Sequence, residues 1–151
     1  MLQIVKFYLK EISKKYGYNQ LLEMLEDEDS EGPRAALETI HRDLLADLGL
    51  PSDLLDPLFC ELKEAVEACG SERSAEDRDR VVRFGESFSA TMMSCLLNQQ
   101  GWETRVGRPD DLQMISTDRF GDADLLEESL EKMATAMIAS PESLVVPGFI
   151  A

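Results

Sequence analysis

The chain is poor in the residues that build disulfide, zinc and nucleic-acid sites. Its 151 residues include one histidine, three cysteines, and 15 lysines and arginines against 30 aspartates and glutamates. Cys60, Cys69 and Cys95 form an odd set without a short pairing, and His41 has no second histidine beside it, so neither a disulfide framework nor a zinc site is expected. A net charge of -15 opposes binding to nucleic acid and to anionic membranes. We expect reduced core thiols, no structural metal, no nucleic-acid partner and no membrane partner.

Long apolar runs are also missing. Near the N-terminus, Lys6, Lys10 and Glu11 interrupt the apolar residues, which excludes a signal-peptide core and a membrane span of about 20 apolar residues. The acidic run at 23–31 lacks the spaced ligands and the glycine of a calcium loop, so it predicts a solvated helix end or loop. These absences favour a cytoplasmic protein.

The first 70 residues predict a layer of helices. Apolar residues recur at spacings of three and four, and the breaks between stripes contain glycine and proline. One helix is expected to begin near Pro33 and end at Gly49, and the next to follow Ser52 as its cap. His41 lies beside the stripe of the former and is interpreted as a boundary side chain rather than a base. The stripes are Leu2, Val5, Leu9, Ile12 and Tyr16, then Leu37, Ile40, Leu44, Leu45 and Leu48, then Leu54, Leu58, Leu62, Ala65, Val66 and Cys69.

Residues 74–151 mix helical and strand patterns. A capping-box sequence at Ser74 opens a long amphipathic helix that runs to Gly101. Strands are predicted at 102–106 and at 144–150, and the helix between them carries methionines that we interpret as core filler. The whole predicts one domain of the α/β class, helix-rich, with a short and mostly parallel sheet flanked by helices.

Three blocks of this second half follow one another in a distinctive order. They are Phe84-Gly85-Glu86-Ser87-Phe88-Ser89-Ala90, Ser116-Thr117-Asp118-Arg119-Phe120-Gly121-Asp122, and Val146-Pro147-Gly148-Phe149-Ile150. From about Val81 to Ala151 the chain resembles the catalytic domain of aspartate kinases. Two further blocks of that family, a Lys-Phe-Gly-Gly-Thr-Ser turn and a Gly-Arg-Gly-Gly-Ser-Asp loop that carry the nucleotide phosphates, are absent from the sequence. The resemblance therefore predicts an incomplete aspartate-kinase-like domain.

The resemblance implies roles for two residues of the blocks. Glu86 would receive the ammonium group of the amino-acid substrate, which a carboxylate suits, and Phe149 would form a wall of the substrate cleft. Gly85 lies inside a predicted helix, where glycine costs about 1 kcal/mol relative to alanine, so we expect a neighbouring backbone or a ligand to approach closely there. The alternative is that Glu86 is a surface acid and Gly85 a helix-packing contact.

Four other residues are secondary candidates. Thr117, Asp118 and Arg119 belong to the second block, which the family uses near its cleft. Asp118 is suited to a cation and Arg119 to a carboxylate or phosphate, while a contact that stabilises the loop is an equal alternative for this pair. Lys6 resembles the phosphate-contacting lysine on the first strand of amino-acid kinases, although bulky side chains follow Phe7 where that family has glycines. No catalytic residue is identified.

The resemblance implies transfer of the γ-phosphoryl group of ATP to the β-carboxylate of L-aspartate, with Mg-ATP as co-substrate, in the biosynthesis of lysine, threonine and methionine. Phosphoryl transfer depends on positioning and charge neutralisation, and the glycine-rich segments that supply both are missing. We therefore expect a truncated or degenerate member that is weakly active or inactive alone. The alternative is a non-catalytic interaction or regulatory protein that binds a kinase subunit or another copy of itself. A glutamate or carbamate kinase fits the blocks less well.

Overall fold

A computed structural model describes residues 18–26 and 30–148. Helices flank a two-stranded parallel sheet, which confirms the α/β class. The first apolar stripe and Lys6 lie outside the described residues. In chain order the elements are α1 (Tyr18–Glu26), α2 (Glu31–Asp47), α3 (Asp56–Glu67), α4 (Ala75–Gln99), β1 (Thr104–Val106), α5 (Glu127–Ala139) and β2 (Ser143–Val145).

The core lies between the helices of the first half and α4. Helix α1 packs against α2 and α4, and α3 packs against α4. The apolar stripes of these helices face one another, and each fully buried large side chain contributes about 1.5–3 kcal/mol relative to exposure. This packing positions α4 against the two strands of the sheet. Its most buried members include Leu21, Met24, Leu37, Leu45, Leu62, Val81 and Phe88.

His41 belongs to this core, so the prediction of a boundary side chain is wrong. Only 3% of the residue is exposed, and its Nδ1 lies 2.9 Å from the carbonyl oxygen of Leu37. The imidazole ring packs against Phe88 at a centroid distance of 4.7 Å and meets Phe59 edge-on. Burial lowers the pKa of His41, because the apolar surroundings disfavour the charged ring. The imidazole therefore acts as an aromatic packing group.

Both ends of α4 follow from local sequence signals. The Ser74 hydroxyl accepts a hydrogen bond from the Asp77 N–H at 3.1 Å, and the Asp77 carboxylate accepts one from the Ser74 N–H at 3.0 Å, which confirms the capping box. The Ser74 hydroxyl also donates to this carboxylate, and the two Ser74 donors hold the pKa of Asp77 below its usual value. At the other end Gly101 has φ +82°, and the Trp102 N–H donates to the Leu97 carbonyl at 3.0 Å. Trp102 therefore belongs to the cap of α4, and its side chain is 63% exposed. The strand begins at Thr104, two residues later than predicted.

Hydrogen bonds of Thr104 with Ser94 and Asn98 attach the sheet to the end of α4. Asn98 donates to the Thr104 carbonyl at 2.8 Å and accepts from the Thr104 N–H at 3.0 Å. Strand β2 lies parallel to β1, with Thr104 opposite Ser143 and Val106 opposite Val145. The carboxyl ends of both strands therefore lie at the same edge of the sheet.

Three further predictions are wrong. Ser52 does not cap α3, because a turn in which the Asp56 N–H donates to the Asp53 carbonyl at 3.1 Å precedes the helix. Cys60 is exposed rather than a core thiol. The interpretation of the α5 methionines as core filler is wrong for Met137, which is 45% exposed, while Met133 is half-buried and Ser129 is the buried residue of that helix. Among the described residues, no helix is long and apolar enough to cross a membrane.

Candidate functional site

A cleft of about 540 Å³ lies at the carboxyl ends of the two strands. Helices α3 and α4 form one side, and the segments that follow β1 and β2 form the other. In open parallel sheets, ligands bind in the crevice outside the carboxyl ends of the strands. The volume is in the range of small-molecule sites. The lining residues are Leu58, Glu61, Arg83, Phe84, Ser87, Thr91, Val106, Arg108, Pro109, Asp110, Met114, Ser116 and Pro147.

All three sequence blocks contribute to this cleft. The first supplies Phe84 and Ser87, the second supplies Ser116, and the third supplies Pro147. These residues are separated by up to about 60 positions in the sequence, and the fold brings them to one place. The regular spacing of α4 directs Phe84 and Ser87 to neighbouring positions on one helical face.

Glu86 is half-buried beside the third block and does not line the cleft, although its neighbour Ser87 and the third-block residue Pro147 do. Its Oε2 accepts a hydrogen bond from the Gly148 N–H at 3.2 Å. A β-carbon at Gly148 would lie 3.4 Å from that oxygen, which is at the close end of ordinary van der Waals contact. Within the described chain, Oε1 of Glu86 accepts no hydrogen bond. The carboxylate is therefore positioned by one backbone group and retains acceptor capacity for a second donor.

The secondary candidates of the second block stabilise their own loop. The Thr117 N–H donates to the Asp124 carbonyl at 2.9 Å, and the Asp124 N–H donates to the Thr117 hydroxyl at 3.1 Å. Arg119 forms an exposed ion pair with Asp124, and Asp118 is exposed. The described structure places Ser116 at the cleft, but it does not place Thr117, Asp118 or Arg119 there.

Asp79 positions this loop and is a residue that the sequence analysis missed. Its carboxylate accepts a hydrogen bond from the Gly121 N–H at 2.5 Å, although 42 positions separate the two residues. Asp79 is 4% exposed, which is unusual for an aspartate without a long-range partner. A lone aspartate on a helix carries no local signal for such a contact, so only the fold reveals it.

The remaining candidates fall outside the cleft or outside the described residues. A β-carbon at Gly85 would lie 3.5 Å from Cδ1 of Leu21, which is an ordinary van der Waals distance. The expected close approach at Gly85 is thus a side-chain contact with α1, and the packing does not require glycine. Phe149 and Lys6, the proposed cleft wall and phosphate contact, lie outside the described residues.

Two arginines of the cleft were not singled out from the sequence. Arg83, on α4, has its guanidinium 5.5 Å from the centroid of the Phe84 ring. Arg108, after β1, lies 3.8 Å from the Glu61 carboxylate, and both side chains are largely exposed. Asp110 also lines the cleft, so two cations and two carboxylates face the same space. Over residues 18–26 and 30–148, no group of three or more histidine, cysteine, aspartate or glutamate side chains is arranged to hold a metal ion.

Comparison with known proteins adds no family assignment. No protein-family model matches the chain. No curated protein matches it significantly. The resemblance to aspartate kinases therefore stays a prediction from the three blocks.

Proposed function

We propose that this chain is an aspartate-kinase-like protein that binds L-aspartate at the cleft between α4 and the ends of the two strands. The observation that supports the proposal is that all three blocks of the resemblance contribute residues to this one cleft. The corresponding location is the cytoplasm.

In this proposal Glu86 receives the ammonium group of the substrate. The Gly148 N–H holds one carboxylate oxygen at 3.2 Å, which fixes the orientation of the side chain. A hydrogen bond between a carboxylate and an ammonium group is stronger than one between neutral groups, because both partners are ionised. The acceptor in the reaction is the β-carboxylate of L-aspartate, and Mg-ATP is the phosphoryl donor.

The same proposal predicts slow turnover. Backbone donors and cationic side chains neutralise the transferred phosphoryl group, and removal of one such donor commonly costs roughly 10²-fold in rate. The 151-residue sequence contains neither of the glycine-rich segments that supply these donors in the family. We therefore expect this chain to bind the substrate but to catalyse the reaction slowly or not at all.

The test is ATP-dependent formation of aspartyl hydroxamate, run together with calorimetric titration of L-aspartate. We expect measurable aspartate binding, with turnover weak or absent, and a loss of both in Glu86→Gln. Glutamine retains the shape of the side chain and can still accept from Gly148, but it lacks the charge that attracts an ammonium group.

Glu64→Gln is the matched control, because Glu64 is an exposed glutamate of another helix, α3, and neither lines the cleft nor accepts the Gly148 hydrogen bond that positions Glu86. It removes the same charge from the molecule and should leave binding unchanged. Absence of both aspartate binding and turnover in the unmodified chain would contradict the proposal, as would full binding by Glu86→Gln.

A second candidate is a non-catalytic interaction protein that associates with a kinase subunit or with another copy of itself. The observation that favours it is the exposed apolar side of α5, where Ile138 is 86% exposed, Leu130 is 53% exposed and Met137 is 45% exposed. Exposed apolar patches of this kind are typical of interaction surfaces. The oligomeric state of the chain tests this candidate.

A further inference from the structure

The cleft contains charges that the three blocks do not explain. Arg83 precedes the first block by one residue, and Arg108 lies eight residues before the second. Both line the cleft, together with Glu61 and Asp110. The molecule has twice as many acidic as basic residues, yet this space is faced by equal numbers of each. A balanced set of charges suits a ligand that carries both signs.

Arg83 is available to bind a ligand. Other arginines on the helices are held by carboxylates: Arg34 by Glu31 and Glu38, and Arg80 by Glu76 and Asp77. In the described part of the chain, no carboxylate lies within 4.0 Å of the Arg83 guanidinium, whose described contact is the ring of Phe84. An aromatic ring restrains a guanidinium without consuming its donors, so all five N–H groups remain for an incoming oxyanion.

Arg108 is the second cation of the cleft, and its ion pair is weak. The distance from its guanidinium to the Glu61 carboxylate is 3.8 Å, and the two side chains are 62% and 45% exposed. Exposed pairs at this separation contribute little, because water screens them and two flexible side chains must be ordered. A ligand carboxylate can therefore take a guanidinium N–H group at small cost.

We propose that Arg83 and Arg108 bind the carboxylate groups of a small acidic amino acid in this cleft. The proposal rests on the proposed function and extends it, because it assigns carboxylate recognition to two residues outside the blocks. Guanidinium groups match the planar geometry of carboxylates and donate charge-assisted hydrogen bonds to them. The ammonium group of the ligand then has Glu61 and Asp110 of the lining, and Glu86 beside the third block, as possible carboxylate partners.

Binding in the absence of nucleotide tests the proposal. L-aspartate is titrated by calorimetry into the unmodified chain and into Arg83→Gln, Arg108→Gln and Arg34→Gln. Arg34 is the control, because its ion pairs are both formed within its own helix and it does not line the cleft. Loss of a charge-assisted hydrogen bond should raise Kd about tenfold in each cleft variant. The Arg34 variant should bind as the unmodified chain does.

Several results would overturn the assignment. Unchanged binding in Arg83→Gln and Arg108→Gln would do so, as would an equal loss in Arg34→Gln, which would indicate a general effect of net charge. Binding of inorganic phosphate without binding of L-aspartate would also overturn it. Circular dichroism and thermal unfolding of each variant verify that the fold is retained.

Failure of this inference and failure of the proposed function give different patterns. If Glu86→Gln abolishes aspartate binding while the arginine variants bind normally, the proposed function stands and the inference fails. If succinate, which has no ammonium group, binds in an Arg83-dependent way while L-aspartate binding does not depend on Glu86, the carboxylate site stands and the proposed function fails.

Discussion

Single residues of this chain are well predicted where their neighbours in the sequence decide their role. The capping box at Ser74 and the helix-ending glycines belong to this class, because their partners lie within about five residues. The roles of His41 and Asp79 are not decided by their neighbours in the sequence. Their surroundings come from Phe88 and from the loop at Gly121, which are distant in the sequence. Residue identity alone therefore predicted the cap at Ser74 but not the absence of one at Ser52, and it predicted neither burial nor long-range hydrogen bonding.

The burial of His41 makes the stability depend on pH near neutrality. Burial lowers the pKa of His41 in the folded chain, so the unfolded chain takes up the proton at higher pH than the folded chain does. The free energy of unfolding should then fall as the pH falls below the ordinary histidine value of about 6.5, by at most about 1.4 kcal/mol per pH unit from this group. His41 is the single histidine of the chain, which makes the effect assignable.

Urea denaturation at pH 7.5 and pH 5.5 measures this effect. The unmodified chain should lose more stability between the two values than His41→Leu, in which the titrating group is replaced by an apolar side chain. An equal loss in both proteins would assign the pH dependence to carboxylates instead and would contradict a neutral, buried histidine.

At the scale of elements, periodicity predicted helices α2 to α5, did not predict α1, and predicted the strands only in position. Helix α2 ends as expected, because Gly49 has φ +66° and the Leu50 N–H donates to the Leu45 carbonyl at 2.8 Å. Strands β1 and β2 have three residues each and are shorter than predicted. A short strand is defined by its hydrogen-bonding partner, and local sequence does not specify where pairing starts or ends.

Two glycines, Gly85 inside α4 and Gly101 just after its end, should respond to alanine in opposite ways. Gly101 has φ +82° with open space around its Cα, so alanine there should cost about 1 kcal/mol from backbone strain alone. Gly85 is helical, and a β-carbon would make an ordinary contact with Leu21, so alanine there should stabilise by about 0.5–1 kcal/mol. Thermal unfolding of the two variants measures both effects against the same parent.

The Gly85→Ala variant also bears on the site. Because the packing accepts a methyl group, the substitution should leave aspartate binding unchanged. Lower stability of Gly85→Ala, or weaker binding in a folded variant, would show that the glycine serves a backbone or ligand approach after all.

At the scale of the whole molecule, the unusual feature is the exposed apolar side of α5. If the chain is an interaction protein, it should form a dimer or a larger assembly through this side of α5. Ile138 is 86% exposed in the single chain and would be buried in such an interface. Ile138→Glu should therefore shift the assembly to monomer, because it would bury a charge without a partner. Lys132→Gln makes the same change in net charge on the same helix, on the side opposite Leu130 and Met137, and should leave the assembly intact. Sedimentation equilibrium at 0.5 M NaCl, where the net charge of -15 is screened, measures the outcome. A monomeric unmodified chain would contradict this candidate.

The sequence by itself determined the helix-rich α/β class, helices α2 to α5 and the order of the three blocks. Each of these depends on periodicity and on signals that act within a few residues. Only the tertiary structure brought Phe84, Ser116 and Pro147 to one cleft, placed Arg83 and Arg108 beside them, and left α5 exposed. The reason is physical: a cleft is a relation between segments that pack through a shared core and a parallel strand pair. No local preference encodes which distant segments will meet.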